Sequence, residues 1–345
     1  MSHGGMNIAR IRVRVLIPLA AATVAVALAS GFGRASAGTI GNGVVVINTT
    51  LGYQSSNAAG TGMVLTSSGE ILTNNHVIDG ATKIKVVVPG TGRSYSAKVV
   101  GYDVKDDVAL LKLNGASNLR TISTGSSSSL RVGQSVTAIG NAGGTGSLST
   151  VTGTITGLGK TIVASDAEGN TEQLTGLIET DAAVVPGDSG GPLETASGKA
   201  IGMTTAASPS SGFSFRTVSS SDAYAIPIAK ALAVVDAVRS GKTTARVHVG
   251  GTAFLGVSVT SGQAEGYSGS GVVIAGVAGG SPAAKAGLQQ GDVIVRVAGT
   301  AVTSPAQLRS LILTKHPGEK LAIAYGDPYG TSGTVTVTLA SGPPQ

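Results

Sequence analysis

At 345 residues the chain is long enough for two domains. With 52 glycines, 41% hydrophobic and only 12% charged residues, it reads as turn-rich β structure instead of coiled coil or disordered chain. It contains no cysteine and four scattered histidines, which excludes thiolate zinc sites, iron–sulfur clusters, disulfides and cysteine nucleophiles. The formal net charge of +6 is uneven: Arg10, Arg12, Arg14 and Arg34 precede residue 38 with no acid among them, leaving 20 basic residues against 18 acidic ones. No Lys/Arg cluster is interleaved with aromatics, so nucleic acid is not an expected partner.

Residues 1–37 read as a secretory signal: a basic start, an apolar run from Val15 to Ala29, and the cleavage-site pattern Ala35-Ser36-Ala37. Pro18 and the alanine-rich run fall short of the ~20 apolar residues that span a bilayer. A secreted chain beginning at Gly38, with no stable membrane anchor, is therefore expected; an uncleaved anchor is the alternative.

From Val44 to about Pro227 short β-branched runs alternate with Gly/Ser/Asn/Asp turns. They are Val44 to Asn48, Gly62 to Thr66, Ile71 to Thr73, Ile84 to Val88, Tyr95 to Tyr102 and Val108 to Leu113, then Ser135 to Ile139, Thr150 to Leu158, Leu177 to Thr180, Ala200 to Thr204 and Tyr224 to Ile226. Such spacing predicts an all-β barrel or sandwich. Pro227 to Arg239 is the first strongly helical stretch, stopped by Ser240-Gly241. The expected layout is thus one domain over 38–240, a linker over 241–252 and a second domain over 253–342, whose helix runs from Ser304 to Thr314.

The sharpest motif is Gly187-Asp188-Ser189-Gly190-Gly191-Pro192. A serine hydroxyl needs a neighbouring base and donors for the oxyanion formed on attack. The flanking glycines let the amides of Gly187 and Ser189 converge on one point. Between Gly38 and Gly241 the one histidine is His76, which makes it the candidate base. Its carboxylate partner is Asp107, which opens the apolar strand Val108 to Leu111, or its rival Asp106 in the preceding turn. An α/β-hydrolase elbow has the order Ser, acid, His and would need His248 or His316 as base; here His76 and the acids precede Ser189, the order of a chymotrypsin-type double barrel.

The segments TNNHVI at Thr73, DVALL at Asp107, AIGN at Ala138 and GDSGGP at Gly187 resemble the HtrA/DegP family of trypsin-fold serine proteases, most nearly its secreted actinobacterial members. The resemblance covers nearly all the chain after residue 37. It implies an all-β double barrel followed by a small α+β PDZ domain, with His76 as general base, Asp107 as its orienting acid, Ser189 as nucleophile, and the Gly187 and Ser189 amides as the oxyanion hole. Phe254-Leu255-Gly256-Val257 resembles the carboxylate-binding loop of PDZ domains, and the stretch from Ser281 resembles the family's PDZ core. A peptide C-terminus is then expected at the amides of Leu255, Gly256 and Val257, added as a strand beside the helix whose Leu308, Leu311 and Ile312 line the pocket.

The implied activity is a secreted endopeptidase acting on polypeptides, with no metal or organic cofactor. The alternatives are a PDZ-directed binding protein or chaperone with a dormant catalytic unit, and an esterase using the same triad. By resemblance Ala183, six before the nucleophile, lies at the base of the pocket for the residue preceding the scissile bond. Aliphatic side chains are then expected there, unless Asp222 reaches the pocket wall. The short arm Gly38 to Gly43 carries one apolar side chain, Ile40, too little for a stable interface of roughly 1,000 Å². A monomer or weak homotrimer is expected.

Overall fold

The computed structural model describes residues 41–53, 56–165, 171–205, 214–215, 222–244, 246–260, 270–327 and 331–344. The signal segment and Ile40 lie outside them. No described helix is long and apolar enough to cross a membrane.

Six strands close the first barrel: β1 (Val44–Leu51), β2 (Ser56–Val64), β3 (Glu70–Thr73), β4 (Lys83–Val88), β5 (Arg93–Asp103) and β6 (Val108–Leu113), in the order β5-β4-β1-β2-β3-β6 with β6 returning to β5. The second barrel is built from β7 (Ser135–Gly140), β8 (Ser149–Ser165), β9 (Thr171–Thr180), β10 (Pro192–Thr195), β11 (Ala200–Thr205) and β13 (Ala223–Pro227). Its order is β8-β7-β10-β11-β13-β9, closed by β8 against β9, with the two-residue β12 (Ser214–Phe215) added beside β8.

Both faces of several strands are apolar because both are buried. Along β1, Val45 and Ile47 fill the first barrel, while Val44 joins Met63, Leu72, Leu110, Ile139 and Met203 in the layer between the barrels. Along β6 the alternation repeats, Ala109 and Leu111 inward, Val108 and Leu110 toward that layer. Helix α1 (Ile228–Arg239) covers it with Ile228, Ala231, Val234, Val235 and Val238, and ends at Gly241, whose φ of +72° suits the left-handed residue after a helix.

The stretch read as a linker contains a strand. β14 (Val247–Val249) pairs antiparallel with β5, so the chain leaves α1 and adds to the first barrel before the second domain begins. That domain comprises β15 (Thr252–Phe254), β16 (Val257–Thr260), β17 (Val272–Val277), α2 (Pro282–Lys285), β18 (Val293–Val297), β19 (Thr300–Ala301), α3 (Pro305–Leu313), β20 (Lys320–Gly326), β21 (Ser332–Thr338) and β22 (Ala340–Gly342). Its core gathers Val272, Ile274, Ile294, Leu308, Leu321 and Ile323. Ser304 caps α3 by accepting from the Gln307 amide (3.2 Å), and the Gln307 side chain reaches back to the Thr303 amide (3.0 Å).

Several elements depart from the predicted runs, β8 and β9 extending well beyond theirs, and two of the departures have identifiable reasons. β2 begins six residues earlier than expected, because Ser56, Asn57, Ala58 and Ala59 pair with β1 although none is a strong strand former. β10 was not expected at all: it starts at Pro192 inside the glycine-rich motif, and is formed by pairing with β7 and β11.

Candidate active site

His76 follows β3 in a turn anchored by the buried side chains of Val77 and Ile78. Asp107 stands ahead of β6 with a φ of +53°, a conformation that costs a non-glycine residue energy and persists only where neighbours enforce it. The neighbours are on hand: the Asn74 side-chain amide donates to the Asp107 carbonyl (2.9 Å), and both carboxylate oxygens engage His76. Oδ1 accepts from the His76 main-chain N–H and Oδ2 lies 2.9 Å from Nδ1. Thr205 of β11 adds its hydroxyl to Oδ2 (3.3 Å), a contact from the opposite barrel. A carboxylate gripping Nδ1 puts the proton there and leaves Nε2 as the basic nitrogen.

The rival carboxylate is committed elsewhere. Asp106 pairs with Lys230 of α1 (2.9 Å) and with Arg246, just before β14. Asp103 of β5 lies 3.4 Å from the same guanidinium, and its pKa is raised chiefly by burial.

Ser189 is buried on the loop between β9 and β10. The loop is held by its carbonyls. The Thr61 N–H donates to the Ser189 carbonyl (2.8 Å), the Thr61 hydroxyl donates to the Gly187 carbonyl (2.7 Å), and the Gly143 N–H donates to the Pro186 carbonyl (2.8 Å). Because a trans peptide points its C=O and N–H in opposite directions, fixing the Pro186 carbonyl on Gly143 turns the Gly187 amide away from it. That amide donates to no group among the described residues. Gly187 must be glycine twice over: its φ is +100°, and a Cβ would fall 2.2 Å from the Asn141 carbonyl.

Thr61 is the residue that sequence reading missed. It is fully buried on β2, its hydroxyl also accepts from the Asn141 amide (2.9 Å), and its carbonyl accepts from the Thr73 hydroxyl (2.7 Å). The only signal was Gly60-Thr61-Gly62, which falls ahead of the predicted run Gly62 to Thr66 and within the observed β2. Asp188, 3% exposed, accepts from the Val185 amide through Oδ2 (3.0 Å), while Oδ1 has no hydrogen-bond partner among the described residues and lies 2.5 Å from where a Cβ on Gly140 would be. Burial pushes its pKa up.

Ala183 is exposed in the turn after β9, and Asp222 is half-buried just ahead of β13. Neither lines the two cavities considered below, and residues 206–213 and 216–221 lie outside the described residues.

In the second domain a groove of ≈ 540 Å³ opens between β16 and α3, lined by Leu255, Gly256, Val257, Leu308 and Ile312 among others. Leu311 departs from expectation: it packs against the domain core from outside this lining, since it sits one turn position off the Leu308–Ile312 stripe. Tyr53, at the tip of the β1–β2 hairpin, stacks on Phe254 at 4.9 Å, and Tyr102 bonds Thr252 through their hydroxyls (3.1 Å).

Two six-stranded barrels with an Asp–His pair on one and a glycine-framed serine on the other, followed by a groove between a strand and a helix, define a trypsin-fold protein with a PDZ domain. Comparison with known proteins agrees. A trypsin-like peptidase domain family matches residues 60–203 and a PDZ domain family matches residues 253–326. Serine protease PepD of Mycobacterium tuberculosis is 35% identical over 307 residues, covering 86% of this chain and 63% of PepD. Putative serine protease HhoB of Synechocystis sp. is 36% identical over 282 residues, covering 77% of this chain and 62% of the relative. Among solved structures, HtrA-type protease AlgW with tripeptide shares 30% identity and a TM-score of 0.50, covering 89% of this chain and 96% of that one. The chain belongs to the HtrA/DegP family of serine proteases. It spans less than two thirds of the length of the curated relatives it matches.

Proposed function

We propose that the protein is a serine endopeptidase that cleaves unfolded or flexible polypeptides through an acyl-enzyme, with its PDZ groove binding peptide C-termini. The observation that carries the reading is the double grip of Asp107 on His76. It holds the ring in the tautomer whose Nε2 takes the Ser189 proton as the hydroxyl attacks the scissile carbonyl, then returns it to the leaving amine. The oxyanion formed on attack is received by the Gly187 and Ser189 amides. No step calls for a metal or organic cofactor.

On the acyl side Ala183 supplies no charge, so small to medium aliphatic residues before the scissile bond are favoured over Lys or Arg, and Asp222 is a loop acid outside that pocket. In the second domain the amides of Leu255, Gly256 and Val257 receive a terminal carboxylate, and Leu308 faces the last side chain. The tripeptide in the AlgW structure supports a peptide as the ligand. Arg-rich residues 1–37 act as an export signal, in keeping with relatives named periplasmic.

The test is fluorophosphonate labelling and casein hydrolysis by the secreted protein and by S189A. Labelling at Ser189 and proteolysis are expected in the first, and a loss of roughly 10⁴-fold or more in kcat in the second. Proteolysis retained by S189A overturns the assignment; ester turnover without peptide turnover marks an esterase instead.

A further inference from the structure

A second cavity, ≈ 740 Å³, lies beside the nucleophile loop, and the chemistry above does not use it. One wall is Gly143, Gly144, Pro186 and Gly187; the other is the outer face of β1, β2 and β4, where Lys83 and Lys85 stand. The register joins them in rows: Lys85 pairs with Asn48, which pairs with Ala59, and Lys83 pairs with Thr50, which pairs with Asn57. Ala59 in turn abuts Gly144, where a Cβ would come within 3.1 Å of it.

The position of the cavity determines which half of a substrate enters it. The acyl half of a bound peptide is held by the second barrel, which carries Ser189 and Ala183. The leaving half departs past His76, which protonates the new amine and belongs to the first barrel. A cleft between the Gly187 loop and the first-barrel strands therefore takes the residues after the scissile bond. Its lining carries two ammonium groups and no carboxylate, and neither lysine forms an ion pair among the described residues. Both lysines are exposed, so their Nζ atoms are hydrated and able to move to a ligand.

We propose that this cleft selects acidic side chains on the leaving side of the scissile bond, with Lys83 and Lys85 as the specificity-determining residues. β4 lies two strand spacings, about 10 Å, from β2, and an extended substrate advances about 3.3 Å per residue. A lysine reaching inward thus meets the second or third residue after the cleaved bond. The inference rests on the serine-protease reading and adds a substrate class to it: flexible segments whose cleavage sites are followed by Asp or Glu.

The experiment uses the full chain and three quenched fluorogenic peptides, identical up to the scissile bond and carrying two Asp, two Ala or two Lys at the second and third positions after it. Wild type is expected to cleave the Asp peptide roughly ten-fold better than the Lys peptide in kcat/KM at low salt, the Ala peptide falling between, with the ratio shrinking as salt screens exposed charges. K83Q/K85Q is expected to bring the Asp/Lys ratio to near one and K83E/K85E to invert it. The ratio is internal to each preparation, so a partly misfolded variant still reports it. An Asp/Lys ratio within two-fold of one in wild type, or a ratio unmoved by charge reversal, overturns the proposal. If wild type cleaves none of the three and takes no fluorophosphonate label, the failure belongs to the protease reading itself.

Discussion

The two loops to which the proposed function assigns an anion, an oxyanion at one and a peptide carboxylate at the other, are built on one plan. In each a glycine sits at positive φ, +100° at Gly187 and +84° at Gly256, and in each an added Cβ would come within 2.2 Å of its surroundings. In each a hydroxyl donates to that glycine's carbonyl: Thr61 to Gly187 at 2.7 Å, Ser281 to Gly256 at 3.3 Å. At Gly256 the tied carbonyl turns the Val257 amide outward; in the nucleophile loop the Pro186 carbonyl on Gly143 does this for the Gly187 amide, while the tie on the Gly187 carbonyl fixes the Asp188 peptide, whose amide donates to Val185 (3.1 Å). The difference lies in where the ties come from. The PDZ loop is held from within its own domain, by Ser281 and by the Ala278 and Ala283 amides on Gly256 and Leu255. The nucleophile loop is held from its own barrel by Gly143 and Thr204 and, in addition, by Thr61 of the other barrel, 126 residues away in sequence. On the proposed function, catalytic geometry therefore depends in part on the docking of two barrels, while the loop assigned to peptide binding is held from within its own domain.

Alanine at each glycine is the strongest test of that contrast. G187A meets the Asn141 carbonyl and forces the loop to move, so kcat should fall at least roughly 10²-fold, the effect of losing one oxyanion donor, while affinity for C-terminal peptides is kept. G256A meets Ser281 and should abolish measurable peptide binding while leaving turnover of a short unanchored peptide within about two-fold. Initial rates and fluorescence anisotropy on both variants check the crossover; a loss of both functions in either variant would show the loops to be coupled.

Removing only the cross-barrel tie has a smaller effect. T61V keeps shape but leaves the Gly187 carbonyl and the Asn141 amide without their partner, each a buried polar group costing about 1–3 kcal/mol. If Thr61 positions the loop, kcat should fall roughly 10- to 100-fold with KM little changed, and T61S, which retains the hydroxyl, should restore it. A T61V enzyme that melts earlier yet turns over normally, or a T61S that fails to rescue, assigns Thr61 to stability alone.

Much of this was legible in the sequence because it was carried by side-chain identity. One histidine between Gly38 and Gly241, an aspartate at a strand start and GDSGGP point to the proposed chemistry, and the β6 run matches its observed bounds, Val108–Leu113. What stayed hidden was carried by pairing across distance. Asp106 and Asp107 are adjacent and chemically identical; only the positive φ of one and the Lys230 and Arg246 partners of the other separate them. Thr61 falls just ahead of the predicted run Gly62 to Thr66, and nothing marks it until its hydroxyl is seen on Gly187. Lys83, ahead of the predicted run Ile84 to Val88, and Lys85 within it carry no signal until the register with β1 and β2 sets them beside the nucleophile loop. β14, three residues of VHV in a polar stretch, is a strand only because β5 offers it an edge.

The smallest expected effect separates the two loops by charge, since the nucleophile loop carries a buried acid and Leu255 to Val257 carries none. Burial raises the Asp188 pKa above its ordinary 3.8, and the Val185 amide offsets this only in part. The folded protein therefore holds that proton more tightly than the unfolded chain does. The stability this gives is fully present below the unfolded pKa and is lost as pH rises through the folded one. Where the carboxylate is ionised it is a buried charge, with one oxygen lacking a partner among the described residues, and is a cost to the fold. D188N keeps an oxygen for the Val185 amide and removes the charge, so its melting temperature should exceed that of wild type at pH 7 to 8. The gap should close as pH falls through the acidic range. Asp103 and Glu194, also raised chiefly by burial, are present in both proteins and cancel in the difference. Thermal melts of the two proteins from pH 4 to pH 8 measure it. A gap that stays constant with pH would mean that Asp188 does not change its charge between those limits in the folded state, and that burial is not what distinguishes the nucleophile loop from its counterpart in the PDZ domain.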